Sequence, residues 1–331
     1  MKLPGDIQKI IIFRALQLGD MLCFIPAVRA LKKAYPYAHI TLAGLPWEKS
    51  LATRFHTYFD EFIWFPGYPG LPEQPLNPPE FSRFLATVQE QQFDLALQMQ
   101  GNGFLVNPMV ELFNAKITAG FYKPDYYRPN EEYFLEYPDY GSEVERHLRL
   151  MDFLGIEPDG TDLEFPLTAQ DQSDFNQLNL PLKPKKYICI HPGSRSVLRQ
   201  WPVQHFAAIA DYCIREGFEA VITGTQDETE IVNKVISYMK YEAINTAGKT
   251  TLGTIGVLIK NAAALVSNCT GVSHMAAAFK TPSIIIRMDG ESERWSPINK
   301  QLHHTINWIE ESDYEDVLIK ADALLHQLDQ V

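Results

Sequence analysis

The sequence predicts an α/β protein made of two Rossmann-like domains, each with a parallel sheet. Short apolar runs alternate with amphipathic helical stretches along both halves of the chain, which is typical of a parallel sheet covered by helices. The length of 331 residues fits two domains. We therefore expect one domain over residues 1–165, a second over 166–310, and a final helix over 311–331.

The first half of the chain alternates strand and helix, and each element follows from its apolar spacing or its boundary residues. A Pro-rich loop over 66–79 and an aromatic, Pro-containing stretch over 121–140 are predicted to be irregular. Gly155 is expected to cap the helix before it. The predicted strands are 9–14, 39–44, 61–65 and 95–98, and the predicted helices are 26–34, 48–55, 81–91 and 144–154.

The second half repeats the alternation after a linker over 157–184 that contains a short helix near 170–178. Pro202 suits the first turn of a helix over 203–216. Apolar residues at helical spacing, from Val317 to Leu328, predict a last helix over 314–329. The predicted strands are 187–191, 220–223, 242–245, 264–266 and 283–286.

Composition excludes several classes of protein. Hydrophobic residues make up 46% and charged residues 21%, as in globular proteins, and no run approaches the twenty apolar residues of a membrane span. The four cysteines form no CxxC pair, which favours reduced thiols in the cytoplasm and argues against a zinc site. The net charge of −12 argues against nucleic-acid binding. Basic residues near the first helix that could touch an anionic membrane are Arg29, Lys32, Lys33 and Arg54.

The segment Val266–Ala278 has the pattern of an anion site. A buried strand leads through a polar turn into a helix, where Gly271 would let a ligand approach the backbone and Thr270 and His274 offer further donors. Unpaired N–H groups and the dipole at a helix N-terminus favour phosphate. An ordinary strand–turn–helix with a core histidine explains the segment about equally well.

A second segment, Tyr187–Pro202, repeats this pattern and favours the phosphate interpretation. It concentrates donors on one loop after a strand: Gly193, Ser194, Arg195 and Arg199. Two such loops in one doubly wound domain predict a diphosphate at the carboxyl ends of its strands.

The sequences of both loops resemble motifs of glycosyltransferase family 9, the lipopolysaccharide heptosyltransferases. The similarity lies in Pro-Gly-Ser…Arg-Gln-Trp-Pro and in Ser-Asn-x-Thr-Gly-x-x-His. It continues in further segments spread over most of the chain: Ile10–Leu31, Phe93–Asn102, Thr223–Glu228 and Ala247–Leu252.

The resemblance implies the GT-B fold, in which two Rossmann-like domains face each other across a cleft and the last helix crosses back toward the first domain. It also implies an inverting transfer of a heptose from an ADP-sugar to a lipid-linked saccharide acceptor, without metal or other cofactor. The first domain would bind the acceptor and the second the donor. The protein would act in the cytoplasm, with peripheral contact at the inner face of the inner membrane.

Asp20 is the predicted catalytic base, because the family places its base at this Gly-Asp and a carboxylate can take the proton of the attacking hydroxyl. The alternative is that Asp20 only caps a helix. Arg199, where most relatives have Lys, would neutralise the leaving diphosphate.

The other predicted contacts divide between donor and acceptor. The donor residues are Gly193, Ser194, Arg199, Glu228, Thr270, Gly271 and His274, with Glu228 on the ribose and Asp227 as the competing choice. Gln100 and Asn102 are predicted on the acceptor side, although loop polarity explains them nearly as well. Cys269 replaces the Asp that relatives usually carry, and we expect it to orient the turn.

Two rival functions remain open. A nucleotide-sugar 2-epimerase would share the architecture but needs several acid/base groups, of which only Asp20 is assigned. A non-catalytic nucleotide-sugar-binding protein would keep the phosphate loops alone. The chain has no Asp-x-Asp, which weakens the case for a metal-bound nucleotide, and Ala247–Thr250 lacks the first glycine of a P-loop.

Overall fold

The computed structural model describes residues 2–289, 291–310 and 312–328. It divides into two compact units, Met1–Thr161 and Asp162–Val331. Each unit contains a six-stranded sheet in which all paired strands run parallel. The predicted α/β class is confirmed.

The first unit has its strands in the order β3-β2-β1-β4-β5-β6. The strands are β1 (Lys9–Phe13), β2 (His39–Gly44), β3 (Glu61–Trp64), β4 (Leu95–Gln98), β5 (Ile117–Tyr122) and β6 (Phe134–Glu136). The helices are α1 (Leu18–Ala34), α2 (Glu48–Arg54), α3 (Pro78–Glu90), α4 (Asn107–Glu111) and α5 (Glu143–Phe153).

The second unit has the order β12-β11-β10-β7-β8-β9. The strands are β7 (Tyr187–His191), β8 (Glu219–Ile222), β9 (Ile244–Asn245), β10 (Ala264–Asn268), β11 (Ser283–Arg287) and β12 (His303–Asn307). The helices are α6 (Ala169–Gln177), α7 (Val203–Arg215), α8 (Thr229–Tyr238), α9 (Leu252–Asn261), α10 (Gly271–Phe279), α11 (Ser292–Trp295) and α12 (Tyr314–Leu328).

Both strand orders match the one found in dinucleotide-binding folds. In that order, successive strands are added on one side of the first strand and then, after one reversal, on its other side. The reversal lies between β1 and β4 in the first unit and between β7 and β10 in the second. Ligands of open α/β sheets bind beyond the carboxyl ends of the strands at this point. The loops after these four strands are therefore the places to look for function.

The strands at the reversal points are buried on both faces. Every residue of β7 and β10 is buried, and so are Ile10 to Phe13 of β1. Continuous apolar runs of this kind are expected where helices cover both faces of a parallel sheet. The ends of these strands are thereby held on a rigid base.

Two predictions about elements were wrong. The first helix begins at Leu18, eight residues before the predicted start at Pro26, and Pro26 lies inside it. Met21 to Ile25 are all buried, and this packing holds a helix through a residue that cannot donate a backbone hydrogen bond. The stretch 121–140 was predicted to be irregular, yet it supplies part of β5 and all of β6, which is an edge strand of the sheet.

The last helix contributes to the core of the second unit. Val317, Ala321, Leu324 and Leu325 are buried there with residues of β7, β8, β10 and β11. Residue 329, which was predicted to end this helix, lies outside the described residues. Packing of the helix toward the first domain stays a prediction.

Within the described ranges, none of the helices combines the length and the apolar content that a bilayer crossing requires.

Candidate functional site

In the first unit, Asp20 lies in the first turn of α1, just beyond the carboxyl end of β1. The N-cap of this helix is Gln17, and its side chain makes no capping hydrogen bond. Asp20 is therefore not the N-cap residue, and as a carboxylate in the first turn it also interacts favourably with the helix dipole. Its side chain is 23% exposed, and one carboxylate oxygen lies 4.0 Å from Nη2 of the buried Arg14.

The loop between β1 and α1 is held by side chains from neighbouring elements. The amide of Gln100 accepts a hydrogen bond from Ala15 N at 2.8 Å and donates one to Ala15 O at 3.2 Å. Leu16 is held likewise: its N–H donates to Glu48 at 2.9 Å, and its carbonyl accepts from the Trp47 indole at 3.2 Å. Consecutive backbone groups leading to Asp20 are thereby fixed from outside the loop.

These contacts bear on the acceptor residues predicted from the sequence. Gln100 is buried and uses its side-chain amide on Ala15, so its contacts support a role in shaping the loop. Asn102 accepts a hydrogen bond from Phe104 N at 3.0 Å. A direct contact of Gln100 or Asn102 with an acceptor stays a prediction.

Glu48, which helps to hold this loop, is unusual because its carboxyl group is completely buried. Burial raises its pKa to about 9, against the opposing effects of backbone N–H groups and Arg14. Its second oxygen, Oε2, has no hydrogen-bond partner among the described residues. Glu48 is therefore protonated and neutral at pH 7.

In the second unit, one amide side chain joins the two loops predicted to bind phosphate. Asn268, at the end of β10, is buried and donates to Pro192 O at 2.7 Å and to Gly193 O at 3.3 Å. Its oxygen accepts from Trp201 N at 2.9 Å. Asn268 thus holds both ends of the loop that follows β7.

Glu228 lies against the same loop. A β-carbon on Gly193 would be 2.1 Å from Glu228 Oε1, so glycine is the residue that leaves room for this carboxylate. Glu228 also accepts from Thr225 N at 2.8 Å and lies 3.7 Å from Nε2 of His191. The structure therefore brings Gly193 and Glu228 together, as a shared nucleotide site requires.

His191, the last residue of β7, lies next to Glu228. Its Nδ1 lies 2.9 Å from the hydroxyl of Thr223, and the ring is buried. Burial lowers the pKa of His191, while the Glu228 carboxylate opposes that change. The neutral ring at pH 7 therefore acts as a hydrogen-bonding support rather than as a charge.

Arg199 meets an acidic partner that the sequence analysis did not identify. Its Nε lies 3.1 Å from Oδ2 of Asp289, and the arginine side chain is 52% exposed. The other oxygen of Asp289 accepts from Nη2 of Arg287, whose side chain is fully buried. Asp289 therefore holds Arg199 in place while leaving much of its guanidinium accessible.

Cys269 lies beside this arrangement. Burial raises the pKa of its thiol to about 11, with Arg287 and Arg199 opposing and Asp289 reinforcing the change. The thiol is therefore neutral at pH 7. The carboxylate that lies among these arginines comes from Asp289, on the loop after β11.

The helix start predicted to receive phosphate is α10. Its N-cap is Thr270, whose side chain makes no capping hydrogen bond, and Gly271 is its first residue. His274 is buried one turn into the helix, with its ring 6.3 Å from that of Trp295. Ser194, on the facing loop, is buried as well, and its carbonyl accepts from Gln200 at 3.1 Å.

Three of the basic residues considered for membrane contact have acidic neighbours in the first unit. Lys33 and Arg29 lie 2.5 Å and 3.9 Å from the carboxylate of Asp159, and Lys32 lies 3.3 Å from that of Asp60. This pairing reduces the positive charge that these residues would present to a membrane.

Sequence reasoning missed several residues that build the two sites. Asn268 lies inside the quoted Ser-Asn-x-Thr-Gly motif, and Arg14 follows directly after a strand, so both carried a signal. Glu48 and Asp289 carried none, because their importance depends on partners far away in the chain. Among the described residues, no group of three or more His, Cys, Asp or Glu side chains is arranged to hold a metal ion.

Comparison with known proteins shows to which family the chain belongs. Residues 81–320 match the model of glycosyltransferase family 9 (heptosyltransferase). The lipopolysaccharide heptosyltransferase 2 of Escherichia coli K12 is 26% identical over 294 residues, covering 84% of this chain and 82% of that protein. The enzyme of that name from Salmonella typhimurium is also 26% identical, with the same coverage.

Solved structures agree on the fold. A family 9 glycosyltransferase from Veillonella parvula superposes with a TM-score of 0.80 at 19% identity, covering 98% of this chain and 99% of the other. The E. coli ADP-heptose lps heptosyltransferase II gives 0.78 at 22% identity, covering 98% and 100%. Together with the two parallel six-stranded sheets, these likenesses establish the GT-B fold. The chain is a glycosyltransferase and belongs to glycosyltransferase family 9, the heptosyltransferase family.

Proposed function

We propose that this protein transfers a heptose from ADP-heptose to a saccharide of the lipopolysaccharide core, with inversion and without a metal ion. The named relatives are lipopolysaccharide heptosyltransferases. The observation that carries the proposal is the convergence of donors in the second unit. There the Arg199 side chain is 52% exposed, and Glu228 packs on Gly193.

The donor side of the proposal follows from charge. A departing ADP gathers negative charge on its β-phosphate, and donors aimed at that charge lower the barrier. Arg199 supplies a forked cation, and Ser194, Thr270 and the first N–H groups of α10 supply neutral donors. These groups are proposed to do the work that a metal ion does in other transferases. Glu228 is proposed to accept hydrogen bonds from the ribose.

The acceptor side depends on Asp20. In a single displacement, the acceptor oxygen forms a bond to the anomeric carbon as the bond from that carbon to the β-phosphate oxygen breaks. The electron pair leaves with ADP, and the hydroxyl proton passes to the Asp20 carboxylate. One displacement inverts the anomeric centre. The acceptor is proposed to be lipid-linked, which would bring the protein to the inner face of the inner membrane.

The test is a donor panel with product analysis. The purified chain is incubated with ADP-heptose, GDP-mannose or UDP-glucose and a heptose-deficient core acceptor, with and without EDTA. We expect ADP release from ADP-heptose only, an inverted linkage by NMR, and rates unchanged by EDTA. Binding without turnover would favour a nucleotide-sugar-binding protein. Altered donor in the absence of acceptor would favour a 2-epimerase.

A further inference from the structure

We infer that Arg14 is a positioning residue for Asp20: its buried guanidinium grips the backbone carbonyl of Asp20 and so fixes where the carboxylate is presented. The inference rests on the proposed function, in which Asp20 is the base. Arg14 is not among the site residues predicted from the sequence. Its proposed effect on Asp20 can be measured separately from its effect on folding.

The Arg14 guanidinium donates to two backbone carbonyl groups. Nε and Nη2 both donate to the carbonyl of Asp20, at 3.2 and 2.9 Å. Nη1 donates to the carbonyl of Met99, just beyond the end of β4. One rigid group therefore joins the helix turn that carries Asp20 to the two strands that flank the reversal point of the sheet.

Arg14 is completely buried. The Arg14 side chain has no exposed surface, and its charge is balanced by Glu143 of α5, whose Oε1 lies 3.3 Å from Nη2. A buried cation is costly unless it is paired and hydrogen-bonded. A neutral residue would fill the same space with a smaller desolvation free energy. We therefore attribute to the Arg14 charge a function other than packing.

The backbone carbonyl and the side chain of Asp20 have different surroundings. The carbonyl is held by two N–H groups, whereas the carboxylate is 23% exposed and lies 4.0 Å from the same guanidinium. A fixed backbone with a partly open side chain is what a proton acceptor needs. Misplacement of a catalytic group by about 1 Å can lower the rate by roughly a hundredfold.

The charged and titratable groups around Asp20 come from three elements. Arg14 follows β1, and Glu48 of α2 has a pKa raised to about 9, chiefly by burial and to a smaller extent by the charge of Asp20. Glu143 of α5 shares Arg14, and His147 on the same helix lies 3.3 Å from Glu143. Arg14 is the cation nearest to Asp20 in this group.

Arg14→Lys is the direct test, with Arg29→Lys as the matched control. Lys keeps the charge but lacks the planar fork that binds the carbonyls of Asp20 and Met99 at once. Arg29 lies on the same helix as Asp20 and also donates from Nε and Nη2 to one backbone carbonyl, that of Asp159, at 3.0 and 2.9 Å. The control therefore makes the same chemical change away from Asp20.

We expect Arg14→Lys to lower kcat roughly ten- to a hundredfold, with the KM for donor and the Kd for ADP changed less than twofold. Arg29→Lys should leave all three values unchanged. Circular dichroism and thermal melting establish that both variants fold. A folded Arg14→Lys variant with wild-type kcat would overturn the inference.

A second variant keeps the inference testable if Arg14→Lys does not fold. Replacing both members of the buried pair, Arg14→Gln together with Glu143→Gln, removes the grip on the Asp20 carbonyl and leaves neither charge buried without its partner. This double variant should lower kcat roughly ten- to a hundredfold relative to wild type, with the KM for donor and the Kd for ADP changed less than twofold. Wild-type kcat in the folded double variant would contradict the inference. Full turnover by Asp20→Asn would instead contradict the proposed base, and no turnover of ADP-heptose by wild type would contradict the proposed reaction.

Discussion

Gly193 and Glu228 pack so closely that a β-carbon on the glycine would lie 2.1 Å from Oε1 of the glutamate. These residues are 35 positions apart, on the loop after β7 and in the turn after β8. The contact explains why the Pro-Gly-Ser motif carries glycine at this position: a side chain would displace the carboxylate. It also allows the proposed ribose contact to be tested without changing the carboxylate itself.

Gly193→Ala should weaken ADP binding several-fold, because the Glu228 carboxylate must leave its place beside Thr225 N and His191. The loss should be smaller for 2′-deoxy-ADP, which offers fewer groups to that carboxylate. Isothermal titration calorimetry with both ligands measures this. Gly5→Ala is the control, since a β-carbon on Gly5 would meet nothing within 4 Å. Equal losses for the two nucleotides would separate Glu228 from the ribose.

Asp20→Asn should lower turnover by about two to four orders of magnitude, the usual contribution of a positioned general base. ADP affinity should stay near the wild-type value, because the donor loops belong to the second unit. Steady-state kinetics and calorimetry on the same preparation measure the two effects. Wild-type turnover by the folded variant would rule out the proposed role.

Arg199→Met should weaken binding of ADP roughly ten- to a hundredfold while leaving adenosine nearly unaffected, since a hydrogen bond to a charged group contributes about 1.5–3 kcal/mol. Arg195→Met is the matched control: Arg195 is exposed on the same loop and should lose less. Calorimetry with ADP and adenosine measures the difference. If ADP and adenosine lost affinity equally, Arg199 would not face the phosphates.

Glu48→Gln should stabilise the protein in a pH-dependent way. In the folded state the pKa of Glu48 is raised from 4.5 to about 9. The folded state therefore holds a proton that the unfolded state releases, and stability falls as pH rises through that window by up to about 1.4 kcal/mol per pH unit. Glutamine is neutral at every pH and removes this loss.

Chemical denaturation at pH 5 and pH 8 tests the Glu48 prediction. The stability gained by Glu48→Gln should be small at pH 5 and clearly larger at pH 8. Glu90→Gln, at the exposed end of α3, controls for the general effect of removing an acidic residue. A gain that did not change with pH would mean that Glu48 is not held neutral.

The sequence by itself determined the elements whose signals are local. The bounds of β2, β4 and β7 match the prediction, because their apolar runs end at clear turn residues. The loops after β7 and β10 were predicted to bind an anion from glycine, hydroxyl and arginine residues within short segments, and this stays a prediction. Asp20 was predicted to be the base from its motif, although the start of its helix was misplaced because Pro26 resembles a first-turn proline.

Tertiary structure decided everything that depends on distant partners. Arg14 and Glu143 are 129 positions apart, and Arg199 and Asp289 are 90 apart, so no local pattern could pair them. The hydrogen bonds between the Gln100 amide and Ala15, 85 residues away, could not be predicted from the sequence around Gln100. Strand β6 has only a weak propensity of its own and forms by adding to the edge of a sheet that already exists. Local residue chemistry marks where a site lies, whereas the charges and contacts that tune each group come from packing between segments remote in sequence.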